Sequence, residues 1–254
     1  MIIRLLSAAL VAGFLAAVAA TGLQLALTSP LIVAAEAYEG QSAALSAPKS
    51  LVVLAHSHGN GAEGHDPSDP GHAGHDHGGG EWQPGEGLPR MAFTGLATLI
   101  GGVGYALLLG AVMLALRLPP GPETGLKLGL AGFAAVALAP AVGLPPELPG
   151  MGAADLELRQ AWWLMTVIAT GLGLYLILVR RVPITILGGL VLIVGPHLAG
   201  APHVEEAASN LPAGYAAQFA ARSLAIAFVF WALIGLGFGW AWHAFGREKA
   251  TARA

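Results

Sequence analysis

Six of the nine histidines fall between positions 56 and 77 of a 254-residue chain. His56 and His58 form an H-x-H pair, and His65 stands before Asp66. The run "GHAGHDHGGG" then adds His72, His75 and His77, with Asp76 between the last two. Neutral imidazole binds Zn, Cu, Ni and Co ions, and interleaved carboxylates add harder oxygen ligands. The surrounding glycines let such a segment wrap an ion without presenting a rigid cage, which suits capture and hand-off at modest affinity. A solvated linker is the other reading, but serine would serve a linker as well, and so many histidines favour metal contact. The spacing selects no single metal; where geometry is loose, the stability order of divalent ions puts copper first. Cysteine is absent, which excludes a thiolate site, a disulfide and a nucleophilic thiol.

Further candidates flank the apolar segments. Glu36 and Glu39 in "AEAYE" are three residues apart and share a helical face if the first helix continues that far. His197 and His203 bracket "LAGAP", with Glu205 and Glu206 behind them, and Glu147 lies within "GLPPELPGM". Together these could form a second, more ordered stop for a metal ion; taken singly, each reads equally well as a polar interfacial residue. The prolines of "GLPPELPGM" exclude a helix there. They leave either a rigid loop or a re-entrant turn whose carbonyls line a cavity. Gln24 and Thr28 either line a polar path or hydrogen-bond a neighbouring helix.

The elements that must position these groups are membrane helices. Hydrophobic residues make up 55% of the chain and charged residues 11%, a composition of membrane rather than soluble proteins. Six apolar stretches approach the ~20 residues needed to cross a bilayer: 5–27, 92–116, 126–144, 161–179, 182–198 and 219–242. The third and fifth are short and interrupted by Pro140 and Pro196. The first follows Arg4 and is much longer than the apolar core of a signal peptide, so it reads as an uncleaved helix; cleavage would leave five spans. The expected organisation is a first transmembrane helix (1–35), a polar His/Gly-rich loop (36–90), a five-helix bundle (91–246) and a basic tail (247–254).

Charge placement sets the sidedness. With the N-terminus inside, Arg4, Arg117, Lys127, Arg180, Arg181, Arg247, Lys249 and Arg253 are inner, and Lys49, Arg90, Arg159 and Arg222 are outer. That inner excess follows the positive-inside rule, with both termini cytoplasmic and the histidine loop outside. Trp162, Trp163, Trp240 and Trp242 read as interfacial anchors, and glycine runs such as "GGVGY" and "GLGFGW" as sites of close helix packing.

Three outward helices end in similar phrases, "SPLIVAAE", "APAVGLPPE" and "GPHLAGAPHVEE", each with a proline followed by a glutamate. Each returning helix opens with Arg90, Arg159 or Arg222 and closes with Arg117, Arg180 or Arg247. Three related helical hairpins would account for this; so would the ordinary gathering of prolines and acids at outer helix ends. The outer arginines sit where the helix dipole disfavours cations, which predicts carboxylate partners such as Glu147, Asp155 or Glu205.

Those phrases, with "EWQPGEGLPR" and "GFAAVALAPAVGLPPELPGMGAADLELRQAWW", resemble the CbtA family of probable cobalt transporter subunits over nearly the whole chain. The resemblance implies a bacterial inner-membrane protein acting in cobalt uptake for cobalamin synthesis. It also implies a small single-span partner, CbtB, and it supplies no established ligand residues. The family is often described with five spans, which puts the first or fifth segment in question.

The expectation is thus an all-α integral membrane protein that takes up a divalent transition metal. Co2+ follows from the resemblance, with Ni2+, Zn2+ and Cu2+ left open. The alternative is a metal-binding adaptor or sensor that passes cations to a partner without conducting them. A net charge of −3 gives no footprint for nucleic acid, so lipid and the partner subunit are the expected contacts. There is no H-E-x-x-H and no phosphate-binding loop, "GPETGLK" having the wrong spacing. No acid lies mid-span to relay protons or sodium, and enzymatic activity is not expected.

Overall fold

The computed structural model describes residues 1–46, 85, 87–203 and 211–251, with side chains to residue 38 in the first helix and to residue 246 in the last. Every regular element among them is helical: α1 (Ile2–Tyr38), α2 (Leu88–Ala115), α3 (Pro122–Gly143), α4 (Leu156–Arg180), α5 (Pro183–Ala199) and α6 (Ala213–Gly246). Within lipid, backbone polar groups must be satisfied inside the segment, and apolar runs of this length therefore fold as helices. All but α5 are long and apolar enough to cross a membrane.

The short fifth segment is the one that separates a count of six from a count of five. Its 17 residues rise about 26 Å at ~1.5 Å per residue, just under the ~30 Å of a hydrocarbon core. It nevertheless runs antiparallel along α4 over the bundle's depth. Thr185 Oγ1 donates to the Leu176 carbonyl at one end (3.3 Å), and Trp162 Nε1 donates to the Pro196 carbonyl at the other (3.3 Å). The start of α1 and the end of α6 meet: Arg4 Nε donates to the Trp242 carbonyl (2.7 Å), with its guanidinium over the Trp242 ring. We call this the terminal end, and the opposite one the glutamate end.

Element boundaries depart from the sequence expectation at both sides of the long connection. The first helix continues to Ser46. At the other side α2 begins at Leu88 rather than residue 91, after Gly87, whose φ of 78° suits glycine.

The α1 face of the core inverts the size order of a soluble bundle. On α1, Ala8, Ala9, Ala12, Gly13, Ala16, Ala17 and Ala20 are buried, while Leu10, Phe14, Leu15 and Val18 face outward. Lipid is as apolar as leucine, so helix association gains from close backbone approach and not from hiding bulk. Gly13 of α1 lies against Gly102 and Val103 of α2. Gly125 and Gly129 of α3 meet Gly235, Gly239 and the Trp231 carbonyl of α6, and Gly173 of α4 meets Gly189 of α5. At the centre Met113, Ile234 and Phe238 are fully enclosed.

Two of the expected tryptophan anchors belong to this interior. Trp162 and Trp242 are buried, whereas Trp163 and Trp240 are exposed. The first packs edge-on to His197, with ring centroids 6.0 Å apart, and the second stacks on Phe238.

Prolines shape α1 and α3 alike. Pro30 and Pro140 each follow a five-residue π turn, Gln24–Thr28 and Ala134–Leu138. Proline lacks the N–H that a carbonyl one turn earlier would accept, and widening the ladder lets the helix continue past it. The linkers after α2 and α4 also match. Each carries an arginine in the left-handed region, Arg117 (φ 53°) and Arg181 (φ 54°), shortly before a helix that opens on proline, Pro122 or Pro183. The packing does not repeat threefold: α6 lies between α1 and α3, and α5 packs along α4 instead of its own returning helix.

Candidate functional site

The glutamate end is organised by two ion pairs, each joining an outward helix to the helix that returns from it. Glu36 on α1 is held by both arms of Arg90 on α2; Nη1 reaches Oε2 at 3.0 Å, and Nη2 bonds Oε1. Glu147, in the loop after α3, receives one hydrogen bond, from Arg159 Nη2 of α4 to Oε2 at 2.8 Å. Its Oε1 has no partner among the described residues, and Arg159 Nε is buried without one. The carboxylate partner expected for Arg159 is thus Glu147. Asp155 instead caps α4, accepting from the backbone N–H groups of Glu157 (2.9 Å) and Leu158 (3.3 Å).

Arg222 of α6 takes neutral partners. It donates to the Leu27 carbonyl in the π turn of α1 (2.8 Å) and to Gln218 Oε1 (3.0 Å). Glu205, its candidate carboxylate, lies outside the described residues together with Glu206. The polar pair of α1 serves helix packing: Gln24 Oε1 accepts from Thr98 Oγ1 of α2 (3.1 Å), and Thr28 Oγ1 bonds back to the Gln24 carbonyl (3.0 Å).

The proline-rich loop is partly buried and lines a cavity. Leu148 is buried against Leu31 and Ala35 of α1, with Met151, Tyr215 and Phe219 around it, so the loop folds back over the ends of α1 and α6. This places Glu147 on the wall of a cleft of about 410 Å³ between α3, α4 and α6. Val136 and Ala137 of the second π turn, Leu144, Trp163 and Leu224 supply apolar walls, and Arg159, Gln160 and Ser223 are its other polar side chains. Gln160 and Ser223 escaped the sequence reading. The one available signal was position, since each directly follows an outer arginine.

The remaining candidates stand apart. His197 is partly buried beside Trp162, and its Nδ1 has no partner among the described residues. His203 is exposed, its Nδ1 3.1 Å from the Ala201 carbonyl. Glu39 falls on the helical continuation of α1. The loop ligands His56, His58, His65, Asp66, His72, His75, Asp76 and His77 lie outside the described residues. Among the described residues no three His, Asp or Glu side chains gather as a metal site.

Comparison with known proteins gives one result. The family model described as "Probable cobalt transporter subunit (CbtA)" matches residues 2–243. No curated protein and no solved structure matches the chain.

Proposed function

The chain belongs to the CbtA family, and from that premise we propose that it is the membrane subunit through which Co2+ is taken up. Five long apolar helices make it a multi-pass membrane protein, and the family places it in a transporter of more than one subunit. In the proposed arrangement the membrane is the bacterial inner membrane, both termini are cytoplasmic, and residues 56–77 face outward. The histidines and aspartates of that segment concentrate the cation. A small single-span subunit of the CbtB kind completes the transporter, and the imported metal serves cobalamin synthesis.

The observation that carries this reading is the polar glutamate end of an otherwise apolar bundle. Two carboxylate–arginine pairs stand there, and one of them, Glu147 with Arg159, lines a cleft between three helices.

One observation favours the adaptor reading. The described helices gather no cluster of three metal-binding side chains, and Glu36 and Glu147 are each engaged by arginine. An adaptor would bind metal in the loop and conduct none. Uptake of radiolabelled Co2+ separates the two. Cells lacking their own uptake systems would express the chain alone and with its partner subunit. Accumulation supports the transporter, and binding without accumulation under both conditions supports the adaptor.

A further inference from the structure

The two helices whose widened turns precede a proline, α1 and α3, differ in what meets those turns. In α1 the Leu27 carbonyl accepts from the Arg222 guanidinium, so a cation of the protein itself sits on that turn. In α3 the corresponding turn carries Val136 and Ala137 into the wall of the 410 Å³ cleft. There Pro140 withholds the N–H that a carbonyl one turn earlier would accept, and no side chain among the described residues donates to that turn.

We propose that this cleft is a transit site for a hydrated divalent cation. Its ligands are the unpartnered Oε1 of Glu147, the carbonyl oxygen that Pro140 leaves without a donor, Ser223 Oγ and Gln160 Oε1. The proposal rests on the transporter reading and assigns that reading a site within the helices, apart from the histidine loop.

Three properties of the cleft fit the occupant. Its ligand set is all oxygen with one carboxylate, which suits an ion that keeps most of its water; imidazole and thiolate cages hold transition metals more tightly. Its size is ample. At ~30 Å³ per water, an ion with six waters needs roughly 200 Å³, within the 410 Å³ available. Its charge balance favours exit as well as entry. Glu147 is shared with Arg159 through one hydrogen bond, so the site offers less than a full negative charge and repels an ion from the Arg159 side. Conduction requires binding strong enough to admit an ion and weak enough to release it. The Glu36–Arg90 pair, gripped by both arms, leaves no such carboxylate oxygen.

The test uses the full chain, purified in detergent, with the six loop histidines, Asp66 and Asp76 changed to alanine so that the proposed loop ligands are removed. Equilibrium binding of radiolabelled Co2+ would be compared across variants. Glu147→Gln and Ser223→Val should each weaken binding at least about tenfold, the lower end of what losing a partner in a metal site costs. Pro140→Ala, which returns a donor to the turn, should weaken it too, and Glu36→Gln and Pro30→Ala should not. Three results would overturn the site: no binding by the loop-substituted parent, full affinity in every cleft variant, or equal loss in the two controls. A folding defect in Pro140→Ala, seen as a lowered melting temperature, leaves Ser223→Val and Glu147→Gln to decide.

Transport by the intact chain with its partner subunit separates this proposal from the reading beneath it. Binding as expected without any uptake would remove the transporter reading and keep the site. Wild-type uptake in every cleft variant would remove the site and keep the reading.

Discussion

Arg90 closes on Glu36 with both guanidinium arms, whereas Arg159 meets Glu147 with one. The pairs occupy matching places, each between an outward helix and the start of the next. The first works as a strap between α1 and α2; the second leaves an oxygen and an N–H uncommitted beside a cleft. Both pairs are partly exposed, so solvent screening holds their contribution to stability near the ~0–1 kcal/mol usual for surface pairs.

A double-mutant cycle on Glu36→Ala and Arg90→Ala, read by thermal unfolding in detergent, should give a coupling of roughly 0.5–1 kcal/mol. No measurable coupling would show that the pair adds nothing to stability.

The α3–α6 crossing should be the most sensitive to added volume. A Cβ on Gly235 would fall on the Gly125 carbonyl, and one on Gly129 on the Trp231 carbonyl. Gly235→Ala is therefore expected to cost about 1–3 kcal/mol, the usual price of overpacking. Gly101→Ala and Gly171→Ala meet open space and should be close to neutral. Melting temperatures of the purified variants check this, and equal losses at all three positions would contradict the assigned packing.

Arg222 should matter through its carbonyl partner. Arg222→Leu leaves the Leu27 carbonyl of the first π turn without its cation. A hydrogen bond to a charged group contributes about 1.5–3 kcal/mol when buried, and partial exposure lowers the expected loss to roughly 1 kcal/mol. Arg222→Lys should recover part of it. Unfolding measurements on both variants test the assignment, and an unchanged melting temperature in Arg222→Leu would overturn it.

Orientation can be read directly because the chain has no cysteine. Ser57→Cys should react with a membrane-impermeant maleimide in intact cells, and Ala254→Cys only after lysis. The opposite pattern would invert the proposed sidedness.

Much of this architecture was legible in the sequence, because length and hydropathy are local properties. Apolar runs placed all six helices, and the glycine runs announced close crossings. The Arg159–Glu147 pair was foreseeable because only 12 positions separate its partners. Arg90 and Glu36 are 54 apart across the long connection, and nothing in the chain specified that pairing. Two of the four tryptophans misled because position near a helix end suggested an interface, while the direction each ring takes is set by neighbouring helices; Trp162 turns to α5 and Trp242 to α1. The cleft was invisible for the same reason: its polar groups come from α4, α6 and a loop, and meet only once the bundle is packed.

The most direct measurement is uptake of radiolabelled Co2+ by cells that lack their own uptake systems and express the chain with its partner subunit. The chain would be intact or with residues 56–77 removed. We expect the intact protein to accumulate Co2+, and the shortened one to match it at high external metal but fall behind at low metal. Such a result would assign capture to the loop and conduction to the helices. Equal uptake by both at every concentration would contradict the capture role, and no accumulation by either would contradict the transporter itself.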